Sequence, residues 1–160
     1  MRPSPDSALL PRRVQLNPVC TLEIDFGQVP SFPVPTGTRL LFSATGGRVD
    51  GPGLSGTVVP GSADWLLVGD DLTARVDVRA VIRTDDGAHI QMTSTGRVVL
   101  GPHAARFLAG EEVKASEAYV RTSPLFDTAD PRYSRLNSLV TLGFCDISLA
   151  HVRYRVYAVD

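Results

Sequence analysis

Lysine is almost missing from this chain: Lys114 is the only one in 160 residues. Schiff-base chemistry would rest on that side chain alone, in the polar stretch EEVKAS, and is set aside. Cysteine is nearly as scarce. Cys20 and Cys145 stand far apart, each in an apolar alternating stretch, and read as buried free thiols rather than a disulfide. The three histidines, His89, His103 and His151, are scattered, and no Cys/His cluster has zinc-site spacing. Charge of one sign is also absent. Sixteen basic and 17 acidic residues give a net charge of -1, which argues against a nucleic-acid partner. No apolar run approaches the roughly 20 residues that cross a bilayer, so no membrane partner is expected. The N-terminal MRPSPDSALLPRR lacks the apolar core of a signal peptide, so the expected location is cytoplasmic. GGRVDGPGLSG is glycine-rich but opens no helix and is not a phosphate loop. DTADPRY has no calcium-loop spacing. Neither a metal nor an organic cofactor is expected.

What remains is a chain of strands. Hydrophobic residues make up 43%, enough for one core and one domain at this length. Residues 1–13, with Pro3, Pro5 and Pro11, read as a flexible arm, and 14–160 as the domain. The apolar period along the domain is two, not 3.6. VCTLEIDFG alternates Cys20, Leu22, Ile24 and Phe26 against Thr21, Glu23 and Asp25. SFPVPTG, with two prolines, reads as a connection. TRLLFSATGGRV reads as a strand bent or interrupted at Gly46-Gly47. LSGTVV and DWLLV read as a hairpin turned by PGSA. TARVDVRAVIRT is the longest strand, and Asp85-Asp86-Gly87 turns it into AHIQMTSTGRVVL. GPHAARFLAGEEVKAS lacks alternation and is the one candidate for a helical turn or long loop. AYVRTSPLF is a further strand, DTADPRYSRLNS is turn-rich, and LVTLGFCDISL and HVRYRVYAV close the chain as an antiparallel pair. The expected fold is all-β: a single antiparallel barrel of about eight to ten strands with little helix. Closure is favoured because both terminal strands alternate strongly and would otherwise be open edges.

Three ordered stretches, GGRVDGPGLSGTVVPGSADW, DVRAVIRTDDGAHIQMTSTG and YVRTSPLFDTADPRYSRLN, resemble domain-of-unknown-function family 3237. The resemblance covers nearly the whole chain after the arm. It implies a calycin-like β-barrel, similar in outline to allene oxide cyclase and lipocalins and often oligomeric, and it brings no established general activity. Departures from the family pattern fall at Ser62 (usually glycine), Val120 (an aromatic), Arg135 (a tryptophan) and Ala80 (often an aromatic).

The chemistry-bearing residues fall into three groups. Asp64 and Asp77 are the candidate acid-base carboxylates. Arg79 and Arg121 are candidate holders of an oxyanion or carbonyl. Tyr133 and Asn137 are candidate hydrogen-bond donors to a substrate, and Trp65 and Phe126 could stack on a ring. Each has a plainer reading. Asp64 could cap a turn, Asp77 and Arg79 could pair on a solvated face, Arg121 could form an internal salt bridge, and Trp65 could be core. On a strand Asp64 and Trp65 must point to opposite faces. Which face of the long strand lines the lumen is left open by the sequence, since a one-residue slip in register reverses it.

Two functional readings share this barrel. One is a cofactor-independent cyclase, isomerase or lyase acting by acid-base chemistry on a small, largely apolar metabolite. Arginine-rich, lysine-poor composition hints at a bacterial genome of high GC content, where such a barrel could serve natural-product biosynthesis. The alternative is a non-catalytic, lipocalin-like small-molecule binder; a solidly packed structural module is a third outcome. The expected partners are a small-molecule ligand and a second copy of the chain, as a homodimer.

Overall fold

A computed structural model describes residues 13–160; apart from Arg13, the arm expected over 1–13 lies outside the described residues. Ten strands form one antiparallel sheet: β1 (Leu16–Phe26), β2 (Ser31–Val34), β3 (Gly37–Gly51), β4 (Leu54–Val58), β5 (Ala63–Val68), β6 (Ala74–Thr84), β7 (His89–Val99), β8 (Tyr119–Asp127), β9 (Thr141–Ile147) and β10 (His151–Val159). The sheet runs β1-β10-β9-β8-β7-β6 and then through β4 and β5 to β3, which returns to β1. Pairing of β1 with both β10 and β3 closes it into an eight-position barrel, so neither alternating terminal strand is left as an edge.

Two of the expected connections differ. Val58 pairs with Ile82 and Ala63 with Arg79, while Thr57 pairs with Arg48 and Ala63 with Ser43. β4 and β5 therefore lie end to end in one barrel position and are not a hairpin. Pro60-Gly61 is a kink within that line, with Gly61 at φ 92°. Ser62, where the family usually has glycine, makes the kink affordable: its hydroxyl donates to Val59 O (2.8 Å) and accepts from Val81 N (3.0 Å). The SFPVPTG connection contains strand β2, which pairs only with the start of β3. Pro33 is tolerated there because β2 is an edge with no second neighbour among the described residues to donate to. The Gly46-Gly47 stretch bends β3 without interrupting it. The β1–β3 register shifts beside Thr45, and Gly47 lies so close to Glu23 O that no Cβ would fit.

Little of the chain is helical. A 3-10 turn (Gly101–His103) runs into α1 (Ala104–Leu108), and a second 3-10 stretch covers Pro131–Ser138. Inside, the barrel divides into two halves. One end is packed solid by Leu22, Val49, Val58, Ile82, Ile90, Met92, Phe126 and Leu136, all buried. The other end is open beneath the β5–β6 turn and α1. Both thiols are free and buried, and burial pushes each up to about 12.

Candidate functional site

The long strand β6 decides which face is inside. Val76, Val78, Ala80 and Ile82 are buried, while Asp77, Arg79, Val81 and Arg83 are exposed. The apolar set fills the lumen because burying it releases water from apolar surface, whereas the charged set would need partners there. Asp77 and Arg79 are thus on the outer wall, paired with each other at 3.0 Å with more than half of each side chain exposed. The expectation that they could line the cavity is corrected by this register.

One end of the barrel holds a cavity of about 610 Å³. Its wall is mainly apolar: Phe26, Leu40, Phe42, Leu66, Val76, Val98, Val120, Phe107 and Val152 contribute, and Leu72, Leu100 and Leu108 border the mouth. Asp64, Thr122, Cys145 and Tyr154 are among its polar or reactive lining, with Ser31, Thr38, Asp71 and Ser148 also on the wall. The volume suits a small molecule rather than a peptide.

Asp64 stands on the lumen face of β5, beside a gap in the β5–β6 ladder. β5 and β6 pair at Asp64–Val78 and again at Leu67–Arg75, with no ladder pair between. The Asp77 N–H in that gap donates to Asp64 Oδ1 at 3.0 Å. Burial pushes the Asp64 carboxyl up to about 6. The Asp77 hydrogen bond and Arg39 work against that rise, and the charge of Asp77 on the outer face adds to it. Trp65, the next residue, points outward and is 48% exposed. Asp64 therefore neither caps a turn nor shares a face with the tryptophan.

The other sequence candidates are not brought together with Asp64. Arg121 lies outside, its guanidinium over the rings of Phe144 (4.6 Å) and Tyr119 (5.3 Å), donating to the carbonyls of Val120 and Ala115. It is neither a cavity residue nor, among the described residues, a salt-bridge partner. Phe126 belongs to the packed end and is absent from the cavity wall. Tyr133 sits on the 3-10 stretch over that end and donates to Asp86, whose carboxylate also takes Thr84 Oγ1 and Arg132. Asn137 braces the neighbouring loop, holding both the N–H and the carbonyl of Thr128.

Tyr154 was missed in the sequence as a site residue. Thr122 Oγ1 lies 3.7 Å from Cys145 Sγ. Tyr154 faces Cys145 on β9 and Leu22 on β1. The signal was present: in HVRYRVYAV, Val152, Tyr154, Val156 and Ala158 share the inward face, so Tyr154 is a hydroxyl set into an apolar row. No three His, Cys, Asp or Glu side chains converge as a metal site among the described residues, and no described helix is long and apolar enough to cross a membrane.

The family model described as "protein of unknown function (DUF3237)" matches residues 14–159. This chain belongs to the DUF3237 family. The UPF0311 protein RPA1785 of Rhodopseudomonas palustris is 31% identical over 128 residues, 78% of this chain and 83% of that protein. Its crystal structure superposes with a TM-score of 0.88 at 27% identity, covering 94% of this chain and all of that one. A β-barrel-like protein of Acinetobacter baumannii gives a TM-score of 0.78 at 28% identity, covering 95% and 99%. The hydroalkoxylation enzyme phnH of Penicillium herquei is 31% identical over 105 residues, 66% of this chain and 56% of that enzyme.

Against the family pattern, the departures have separate consequences. Val120 borders the cavity, where an aromatic would narrow it. Ala80 is buried on the lumen face of β6. Arg135 lies at the surface and donates to Pro52 O.

Proposed function

We propose that this protein is a cofactor-independent enzyme that closes or isomerises a small, largely apolar metabolite, with Asp64 as its acid-base group. The observation that carries the reading is the Asp64 carboxyl, with its pKa pushed up to about 6, set into a mainly apolar cavity. A general acid-base group works best when its pKa lies near the operating pH, because both protonation states are then accessible. A strongly perturbed carboxyl in a cleft is also where function is commonly found.

The relative named a hydroalkoxylation enzyme supports a specific form of that chemistry. Hydroalkoxylation adds an alcohol O–H across a carbon–carbon double bond. In an intramolecular case the protonated Asp64 gives its proton to one alkene carbon. The substrate hydroxyl oxygen bonds to the other carbon, and its proton passes to the Asp64 carboxylate. Atoms and electrons balance, the acid is regenerated, and no oxidant or reductant is consumed. The apolar wall contributes by folding the substrate so that hydroxyl and alkene meet.

The test is a metabolite comparison in the host. The gene is deleted and complemented with wild type, Asp64→Asn or Asp77→Asn, each shown to be folded. A product that wild type and Asp77→Asn restore, and Asp64→Asn does not, supports the reading; the accumulating precursor then identifies the substrate. Full complementation by Asp64→Asn removes the acid-base role and favours the lipocalin-like carrier.

A further inference from the structure

The cavity wall also carries, on β10, a group that the acid-base chemistry above leaves unused. Tyr154 is 5% exposed, yet its hydroxyl makes no hydrogen bond to any described residue, although it borders the cavity. The hydroxyl is not sealed in the core: among the described residues the fully buried side-chain oxygen without a partner is Ser94 Oγ. The Tyr154 phenol therefore opens onto the cavity, where a bound molecule can supply the hydrogen bond that tyrosine hydroxyls in apolar surroundings usually find. The neighbouring polar side chains are already turned elsewhere: Thr122 and Cys145 face each other. Asp64 spends one oxygen on the Asp77 N–H.

Resting on the cavity reading above, we propose that Tyr154 is the cavity's oxygen-binding group: its phenol donates a hydrogen bond to a neutral carbonyl or ether oxygen of the bound molecule. The substrate class follows. It is a compact, uncharged molecule with an oxygen acceptor at its inner end and apolar surface along Val76, Val98 and Val120 toward the Leu72 and Leu108 rim. A carboxylate-bearing ligand is disfavoured, since no Arg or Lys among the described residues lines the wall and Asp64 would repel it. The phenol stays a donor across the working pH range, because burial chiefly, with Cys145 and Asp64 adding to it, holds it protonated.

Two probes of equal shape separate this from a merely greasy pocket: 2-acetylnaphthalene, which carries a carbonyl acceptor, and 2-isopropylnaphthalene, which does not. Their dissociation constants are measured by competition against a fluorescent hydrophobic dye for wild type, Tyr154→Phe and Asp64→Asn. The expected result is that wild type prefers the ketone by threefold to tenfold, the range for one net neutral hydrogen bond. Tyr154→Phe should erase that preference while binding the hydrocarbon as wild type does, and Asp64→Asn should keep it. Tyr154→Phe should also melt no lower than wild type, since the hydroxyl it deletes has no partner among the described residues. A ketone preference that survives Tyr154→Phe but vanishes in Asp64→Asn overturns the assignment and leaves the cavity reading standing. Failure of both probes to bind wild type overturns both readings. A markedly lowered melting temperature in Tyr154→Phe also overturns the assignment, because the hydroxyl then serves the fold.

Discussion

Replacing Asp64 by asparagine should make the protein more stable at neutral pH, and the gain should vanish in acid. The carboxyl is pushed from 3.8 to about 6 on folding, chiefly by burial. The sign follows from proton binding. Between those values the native state holds a proton that the unfolded chain has released, so stability falls as pH rises from about 4 through 6. A shift of about 2 units corresponds to roughly 3 kcal/mol, the cost of keeping Asp64 ionised in the cavity above pH 6. Asparagine never ionises, and its amide oxygen can still accept the Asp77 N–H. All other titrating groups are common to both proteins and cancel in the difference. The assay is thermal unfolding of both proteins from pH 4 to pH 8. At this chain length the gap between their melting temperatures should widen by about 6–12 °C in favour of asparagine. A gap that does not change with pH would refute the burial of the carboxyl, and with it the reason for giving Asp64 a working role.

The remaining predictions concern the wall, the kink and the rim. Asp77→Asn and Arg79→Ala should each change stability by less than about 0.5 kcal/mol, since the pair is solvated. Asp77→Asn should also lower the Asp64 midpoint, because the Asp77 charge contributes to raising it; an upward shift by NMR titration would contradict the geometry. Ser62→Ala should cost about 1–3 kcal/mol in urea unfolding, since it strands the Val81 N–H at the kink, and an unchanged midpoint would show that the kink does not need the hydroxyl. Leu72 sits at φ 59°, a conformation that costs a non-glycine residue about 1–2 kcal/mol. Leu72→Gly should therefore leave stability equal or up to about 1 kcal/mol higher once glycine's own entropy cost is subtracted. It should also weaken binding of 2-isopropylnaphthalene by removing apolar surface from the mouth; a variant that is less stable and binds equally well would refute both statements.

Much of the fold can be read from period-two alternation, because a barrel strand that faces core on one side and water on the other has no other pattern. Where the reading failed, one local signal had two structural meanings. Pro60-Gly61 is the same dipeptide in a hairpin turn and in a kink along a continuing strand. Only the register on Arg48, Ser43, Ile82 and Arg79 distinguishes them. Pro33 suggested a connection, but it lies on an edge strand whose free side asks nothing of its missing N–H.

Of the catalytic candidates named from the sequence, Asp64 is the one that lines the cavity. The rule that neighbours on a strand oppose each other placed Asp64 and Trp65 on different faces, and Asp64 proved to be the inward one. Asp77 and Arg79 misled because a charged row flanking an apolar row looks alike whether it lines a polar lumen or an outer wall. The apolar row's burial settles it, and that depends on the closed sheet rather than on the strand. Tyr154 was passed over for the opposite reason. Its row looked like ordinary core, and only the cavity beside it shows a hydroxyl with no partner among the described residues. Tyr133 and Asn137 drew attention as donors, and both spend their hydrogen bonds on the closed end and its loop.

The most direct measurement is a carbon-detected NMR titration of the Asp64 carboxyl, assigned by its loss in Asp64→Asn, in the free protein and with 2-acetylnaphthalene bound. The account predicts a midpoint near 6 in the free protein, moving higher when the neutral ligand further excludes water from the carboxyl. A midpoint near 4 that the ligand leaves unchanged would contradict it, because Asp64 would then be a solvated surface carboxylate and the cavity would hold no acid-base group.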